Sequence, residues 1–234
     1  MNKQSNVYTT VYIIILVLVV GTALASTALA LRPKQQENID ADKMRQILAA
    51  VHITPEKNGI VEDFNRYIVE QKVVNSAGET IEGDAFTINM PEQIKLPADK
   101  RSLPVFVCKM QGGEFKYILP AYGAGLWGPI WGYIAIDSDG STVYGAYFAH
   151  QGETPGLGAE IEKPAFTDQF NSSLHLFKDG KFMSIEVVKG GIAPASGADY
   201  VNGISGGTIT SKGVGTMLDN CLTPYKSFLE QLSK

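Results

Sequence analysis

Two glycines stand directly before a threonine hydroxyl in Ser205-Gly206-Gly207-Thr208-Ile209-Thr210-Ser211, and a helix-start signal follows. The glycines strip side-chain bulk from around the Thr208 oxygen and open backbone N–H groups beside it. A small-residue bend, a helix N-terminus and a hydroxyl oxygen together suit a phosphate group. The same residues also fit a plain glycine turn with Thr210 or Ser211 as its N-cap.

Two other stretches carry chemistry. Residues 120–130 set Gly123, Gly125, Gly128 and Trp127 between two apolar runs, so an aromatic ring lies near open backbone. Flat ring systems bind against apolar surfaces with a few aimed polar groups. In the plainer alternative Trp127 plugs the core beneath a hairpin loop. Residues 150–158, with Glu153, Thr154, Pro155, Gly156, Leu157 and Gly158, begin where a strand is expected to end. Binding loops cluster at such places, although a Pro-Gly turn explains the same residues.

The elements that must position these segments are legible from periodicity. Met44, Ile47, Leu48 and Val51 follow the i, i+3, i+4, i+7 spacing of an amphipathic helix. A second helix is expected over about Pro55 to Asn65. Tyr67 to Val74 reads as a strand. Leu103 to Met110 with Phe115 to Leu119, and Trp131 to Asp137 with Thr142 to Phe148, read as two hairpins. A helix is expected from about Glu162 to Phe170, and a strand from Phe182 to Val188. Val214, Met217, Leu218, Cys221, Tyr225, Phe228, Leu229 and Leu232 form one apolar helical stripe that Pro224 kinks or divides. Hairpins and separate helices together imply an α+β fold.

Composition bounds the function. A net charge of -4 without a basic cluster argues against a nucleic-acid partner. Cys108 and Cys221 lack C-x-x-C spacing, which disfavours a disulfide framework or a zinc site. No iron–sulfur ligand set occurs, and no histidine is placed by sequence near a serine or threonine nucleophile. Val11 to Leu31 is uncharged and mostly apolar. As a helix it spans about 31 Å, the thickness of a bilayer core. Ala28-Leu29-Ala30 resembles a signal-peptide cleavage site, but the apolar run is longer than a usual signal core, which favours a retained single-pass anchor. The expected organisation is a short tail at 1–10, a transmembrane helix at 11–31, a polar linker at 32–42 and one domain at 43–234.

The run Ser205-Gly206-Gly207-Thr208 resembles the flavinylation motif of the C subunit of the Na+-translocating NADH:quinone reductase and of the G subunit of the related Rnf complex. Gly-Leu-Trp-Gly at 125–128 and Glu-Thr-Pro-Gly-Leu-Gly at 153–158 precede it in the order of that family's FMN-binding domain. The resemblance implies antiparallel strands with flanking helices, and FMN joined covalently through its phosphate to Thr208 by a flavin transferase. It further implies flavin contacts from Ser205, Gly206, Gly207, Trp127, Glu153, Thr154, Leu157 and Gly158. Glu153 would accept a hydrogen bond from the ribityl chain or ring, and Leu157 would cover a ring face. The implied partners are the membrane and the other subunits of a complex that oxidises NADH, reduces ubiquinone and exports Na+. The implied location is the inner membrane with the domain on the periplasmic side. Electrons would arrive from an iron–sulfur centre and leave to a second FMN. Two departures stand out: the family's acidic residue is Asn202 here, with Asp199 out of register, and its alanine is Gly207. An Rnf-type subunit and a membrane-anchored binding domain without redox chemistry are the alternatives.

Overall fold

The computed structural model describes residues 6–56 and 59–233. The chain divides into two units between Lys43 and Met44. In the first, helix α1 (Asn6–Ala49) starts at Asn6 and runs on past the boundary. Its apolar side chains from Val11 to Leu31 are exposed. Thr10 and Thr27 donate to the carbonyls four residues back, at 2.9 and 2.8 Å, so their hydroxyls need no water. Among the described residues this is the only helix long and apolar enough to cross a membrane. Residues 32–42, where composition predicts a linker, are helical. Pro33 removes one N–H donor, but the stretch after it is rich in helix formers. Lys34–Glu37 at 3.0 Å and Gln36–Asp40 at 2.8 Å brace successive turns. The first part of the expected tail, residues 1–5, lies outside the described residues.

The second unit is built on one antiparallel sheet. Its strands are β1 (Ile68–Val74), β2 (Thr80–Ile81), β3 (Leu103–Lys109), β4 (Phe115–Ala124), β5 (Pro129–Asp137) and β6 (Val143–His150), in the order β2-β1-β3-β4-β5-β6. β4 and β5 pair from Lys116↔Asp137 to Ala124↔Pro129. Residues 125–128 are therefore the tip of a long hairpin, whereas the sequence pattern ends the first strand at Leu119.

Both sheet faces are covered. Along β3, Val105 and Val107 enter one core while Phe106 and Cys108 enter the other. The second core is closed by Ile47, Leu48 and Val51 and by Phe64 of helix α2 (Ile60–Tyr67). This helix starts later than expected, and residues 57–58 within the expected span lie outside the described residues. Two short helices follow in the chain, α3 (Met90–Gln93) and α4 (Pro164–Thr167). The first core is closed by helices α5 (Thr208–Leu222) and α6 (Lys226–Leu232), with a 3-10 turn at Thr223–Tyr225 where Pro224 divides them. Tyr225 is fully buried and donates its hydroxyl to Pro104 O at 2.8 Å.

Two expected elements are cut short. The helix over 162–170 is a 3-10 turn, Gly158–Glu162, followed by α4 alone. Pro164 restarts the backbone, and Phe166 and Phe170 turn in to meet Phe148 at 5.6 and 5.0 Å between ring centroids. The strand over 182–188 is interrupted because Ser184 and Ile185 dip into the core. It is divided between β8 (Lys181–Phe182), which pairs with β7 (Phe177–Lys178), and β9 (Glu186–Val188), which pairs in parallel with β10 (Tyr200–Asn202). β10 leads directly into the Thr208 bend.

Candidate functional site

The chain entering the bend is held at Asn202. The Gln169 amide clamps its backbone, taking the Asn202 N–H at 2.8 Å and donating to the Asn202 carbonyl at 3.2 Å. The Asn202 side-chain oxygen accepts the Gly191 N–H at 3.1 Å, an acceptor role that a carboxylate would also fill. Asp199 is occupied elsewhere: it pairs with Lys178 at 2.6 Å and accepts the His175 N–H at 2.8 Å. Burial raises the Asp199 carboxyl, but the hydrogen bonds from Lys178 and His175 outweigh it and hold the group below the usual range.

Ile204 to Gly207 then make a tight turn. Gly207 N–H reaches Ile204 O at 3.0 Å, and Gly206 sits at φ 77°, the left-handed region a type II turn requires. The Ser211 hydroxyl accepts the Ile204 N–H at 2.9 Å and so closes the bend against the helix. Gly207 is the N-cap of α5, and no side chain caps the helix. Thr208 is its first residue and is exposed, as is Ser205. The Thr208 hydroxyl thus stands at the positive end of a fifteen-residue helix whose first N–H groups have no side-chain acceptor. Thr210 and Ser211 are not the N-cap: both lie inside the helix and are buried.

Glu153 lies beneath this turn. It is 4% exposed, and one carboxylate oxygen accepts the Trp127 N–H at 2.8 Å while the other accepts the Thr210 hydroxyl at 2.5 Å. Its own N–H donates to His150 Nδ1 at 3.1 Å, which leaves the ring proton on Nε2, 3.7 Å from Glu162. The carboxylate sits in a slot between two glycines. A methyl group on Gly125 would lie 2.5 Å from Glu153 Oε1, and one on Gly158 would lie 2.5 Å from Thr210 Oγ1.

The hairpin tip, the 153–158 turn and the start of α5 each expose a large apolar side chain. Trp127 is 68% exposed, so it does not plug the core, and Leu126, Leu157 and Ile209 are exposed as well. Leu157 lies against the bend, since a methyl group on Gly206 would meet its Cδ2 at 2.7 Å. Thr154 is exposed and its carbonyl accepts the N–H groups of Leu157 and Ala159, which shapes the 153–158 turn. On the other side Thr208, Ser205 and Gly206 line a cavity of about 330 Å3 together with Lys189 and Lys212. Sequence reasoning passed over Ile209, Lys189 and Lys212. Lys212 follows Thr208 by four residues and was findable from helical spacing. Lys189 arrives through the β9–β10 pairing and carried no local signal.

Residues 125–223 match the FMN-binding domain family. That stretch contains the hairpin tip at 125–128, the 153–158 turn and the Thr208 bend. Over 91% of its length the chain is 34% identical to the C subunit of the Na+-translocating NADH-quinone reductase of Vibrio anguillarum, covering 89% of that protein. The corresponding subunit of Yersinia pestis is also 34% identical, with 91% and 87% covered. The chain belongs to the C-subunit family of this reductase. The crystal structure of the C subunit from Parabacteroides distasonis superposes with a TM-score of 0.79 at 49% identity, covering 85% of this chain and 96% of that one. NqrC of Shewanella oneidensis, at 24% identity and a TM-score of 0.68, shares the fold. The α+β architecture expected from the sequence, an apolar N-terminal helix followed by an antiparallel FMN-binding domain, is therefore the architecture of this family.

Proposed function

We propose that Thr208 carries FMN through a phosphoester, and that the chain relays electrons as a membrane-anchored subunit of a reductase that oxidises NADH, reduces ubiquinone and exports Na+. The ester joins Thr208 Oγ1 to the flavin phosphorus, with the net loss of one water relative to free FMN. Membership of the C-subunit family and the FMN-binding domain over residues 125–223 support an electron-carrying role. The single observation that carries the attachment point is the exposed Thr208 hydroxyl at the start of α5, which no side chain caps, directly after the two glycines of the bend.

The surroundings fit the group. A phosphodiester keeps one negative charge, which the helix N-terminus and the ammonium groups of Lys189 and Lys212 favour. Gly206 and Gly207 leave room for the phosphate oxygens, and Ser205 and Thr154 offer hydroxyls nearby. Trp127, Leu157 and Ile209 supply flat apolar surface for a ring. Gly158 and Glu153 are buried behind this surface, against Thr210 of α5. When bound, the flavin supplies one- and two-electron chemistry that none of these side chains can perform. Attachment at the phosphate end leaves the ring free, and the protein contributes position and electrostatics.

A flavin transferase is the required maturation partner, and the other reductase subunits supply and remove the electrons. The apolar span of α1 anchors the chain in the inner membrane, with the domain on the periplasmic side. Covalent attachment there prevents loss of the cofactor to a compartment poor in free FMN. The test is expression of the full chain with and without the transferase. Flavin fluorescence on a denaturing gel is expected only with it, and Thr208→Ala abolishes that fluorescence while the fold survives. Fluorescence retained in Thr208→Ala places the attachment elsewhere.

A further inference from the structure

We infer that Glu153 and Thr210 are a positioning pair for the attached flavin, acting through their hydrogen bonds and not by touching the cofactor. This rests on the reading that Thr208 bears FMN. Three segments that are distant in the chain meet at Glu153: the hairpin tip at 125–128, the 153–158 turn and the first turn of α5. Glu153 is the group that ties them. It takes one donor from the tip, the Trp127 N–H, and one from α5, the Thr210 hydroxyl, at 2.8 and 2.5 Å. Its own backbone belongs to the third segment.

The geometry is closed on every side. Glu153 and Thr210 are 4% and 2% exposed. A methyl group at Gly125 or Gly158 would collide with the carboxylate, so these glycines reserve its place. Thr210 follows Thr208 by two residues on one helical turn and therefore points inward when Thr208 points outward. Trp127 presents its ring to solvent while its backbone is bound from below. The pair thus sets the distance between the Trp127 ring, Leu157 and the Thr208 oxygen. A short covalent tether exploits a ring surface only when that distance is fixed.

The test compares Thr210→Val, Glu153→Ala and Glu153→Gln in the full chain, co-expressed with limiting flavin transferase. Two quantities are read: amide hydrogen exchange at Trp127 in the unflavinylated protein, and the fraction of chains carrying FMN. Thr210→Val keeps the side-chain shape and removes the hydroxyl, so it remains informative if Glu153→Ala fails to fold. Losing a buried hydrogen bond opens the segment by about tenfold. Trp127 exchange is therefore expected to accelerate about tenfold in Thr210→Val and Glu153→Ala, and FMN loading to fall several-fold with it. Glu153→Gln still offers an oxygen to Trp127 and an N–H to Thr210, so it restores both. Wild-type exchange and loading in Thr210→Val overturn the inference, as does a Glu153→Gln as deficient as Glu153→Ala. Movement of either quantity without the other also overturns it. A wild-type chain without FMN on Thr208 refutes the attachment reading instead, and the flavin-free Trp127 exchange keeps the two failures apart.

Discussion

Gly206 and Gly207 look alike in the sequence and differ in what they tolerate. Gly206 has φ 77°, and an added methyl group would meet Leu157 at 2.7 Å. Gly207 has φ -102°, and its added methyl group would lie 3.1 to 3.2 Å from Ile204 and Leu157. Gly206→Ala is therefore expected to cost about 1–2 kcal/mol by thermal or urea melting and to lower flavin loading. Gly207→Ala, a mild change by volume, is expected to cost less than about 1 kcal/mol and to keep its loading. Equal losses in the two variants contradict this account of the bend. The residue types in the bend were legible because small residues before a hydroxyl are a local pattern. Which glycine is indispensable was not, because that depends on the left-handed φ of Gly206, which the closure of the bend on α5 through Ser211 sets.

At the level of elements, the last turns of α1 join the second core. Ile47 and Leu48 are fully buried, and Gln46 accepts the Trp131 indole N–H at 2.9 Å. Ile47→Ala is expected to destabilise the domain by about 2–4 kcal/mol, read as a lower urea midpoint at unchanged slope. A shift below about 1 kcal/mol means that this turn does not belong to the core. Its helical spacing was plain in the sequence, as were the strands β3, β5 and β6. The misreadings share one cause. Gly123 and Pro120 made the end of β4 look like a loop, but pairing with β5 carries the strand to Ala124. Polar residues after the apolar span looked like a linker, but they are good helix formers and stay helical despite Pro33. Long-range pairing and helix continuation override local punctuation.

For the whole molecule, buried acids set the alkaline limit. Burial pushes the Cys108 thiol up to about 11, against a partial opposing pull from Lys116, and raises Cys221 and Tyr225 as well. The unfolded chain releases these protons from about pH 8.5 for thiols and about pH 10 for tyrosine, while the folded chain holds them. The folded state then binds more protons, so stability falls as pH rises through this window. The melting temperature is expected to drop between about pH 8 and pH 10.5, and less steeply in Cys108→Ala. An equally steep drop in that variant rules out Cys108 as a contributor. Three segments of the site were legible in the sequence as separate runs. The clasp that joins them was not, since Glu153 and Thr210 meet only through the packing of the 153–158 turn on α5. All of this bears on one bond, and intact-peptide mass spectrometry after expression with the flavin transferase reads it most directly. The account predicts that the peptide containing Thr208 gains the mass of FMN less one water, with fragmentation placing it on Thr208. An unmodified Thr208 peptide under those conditions contradicts it.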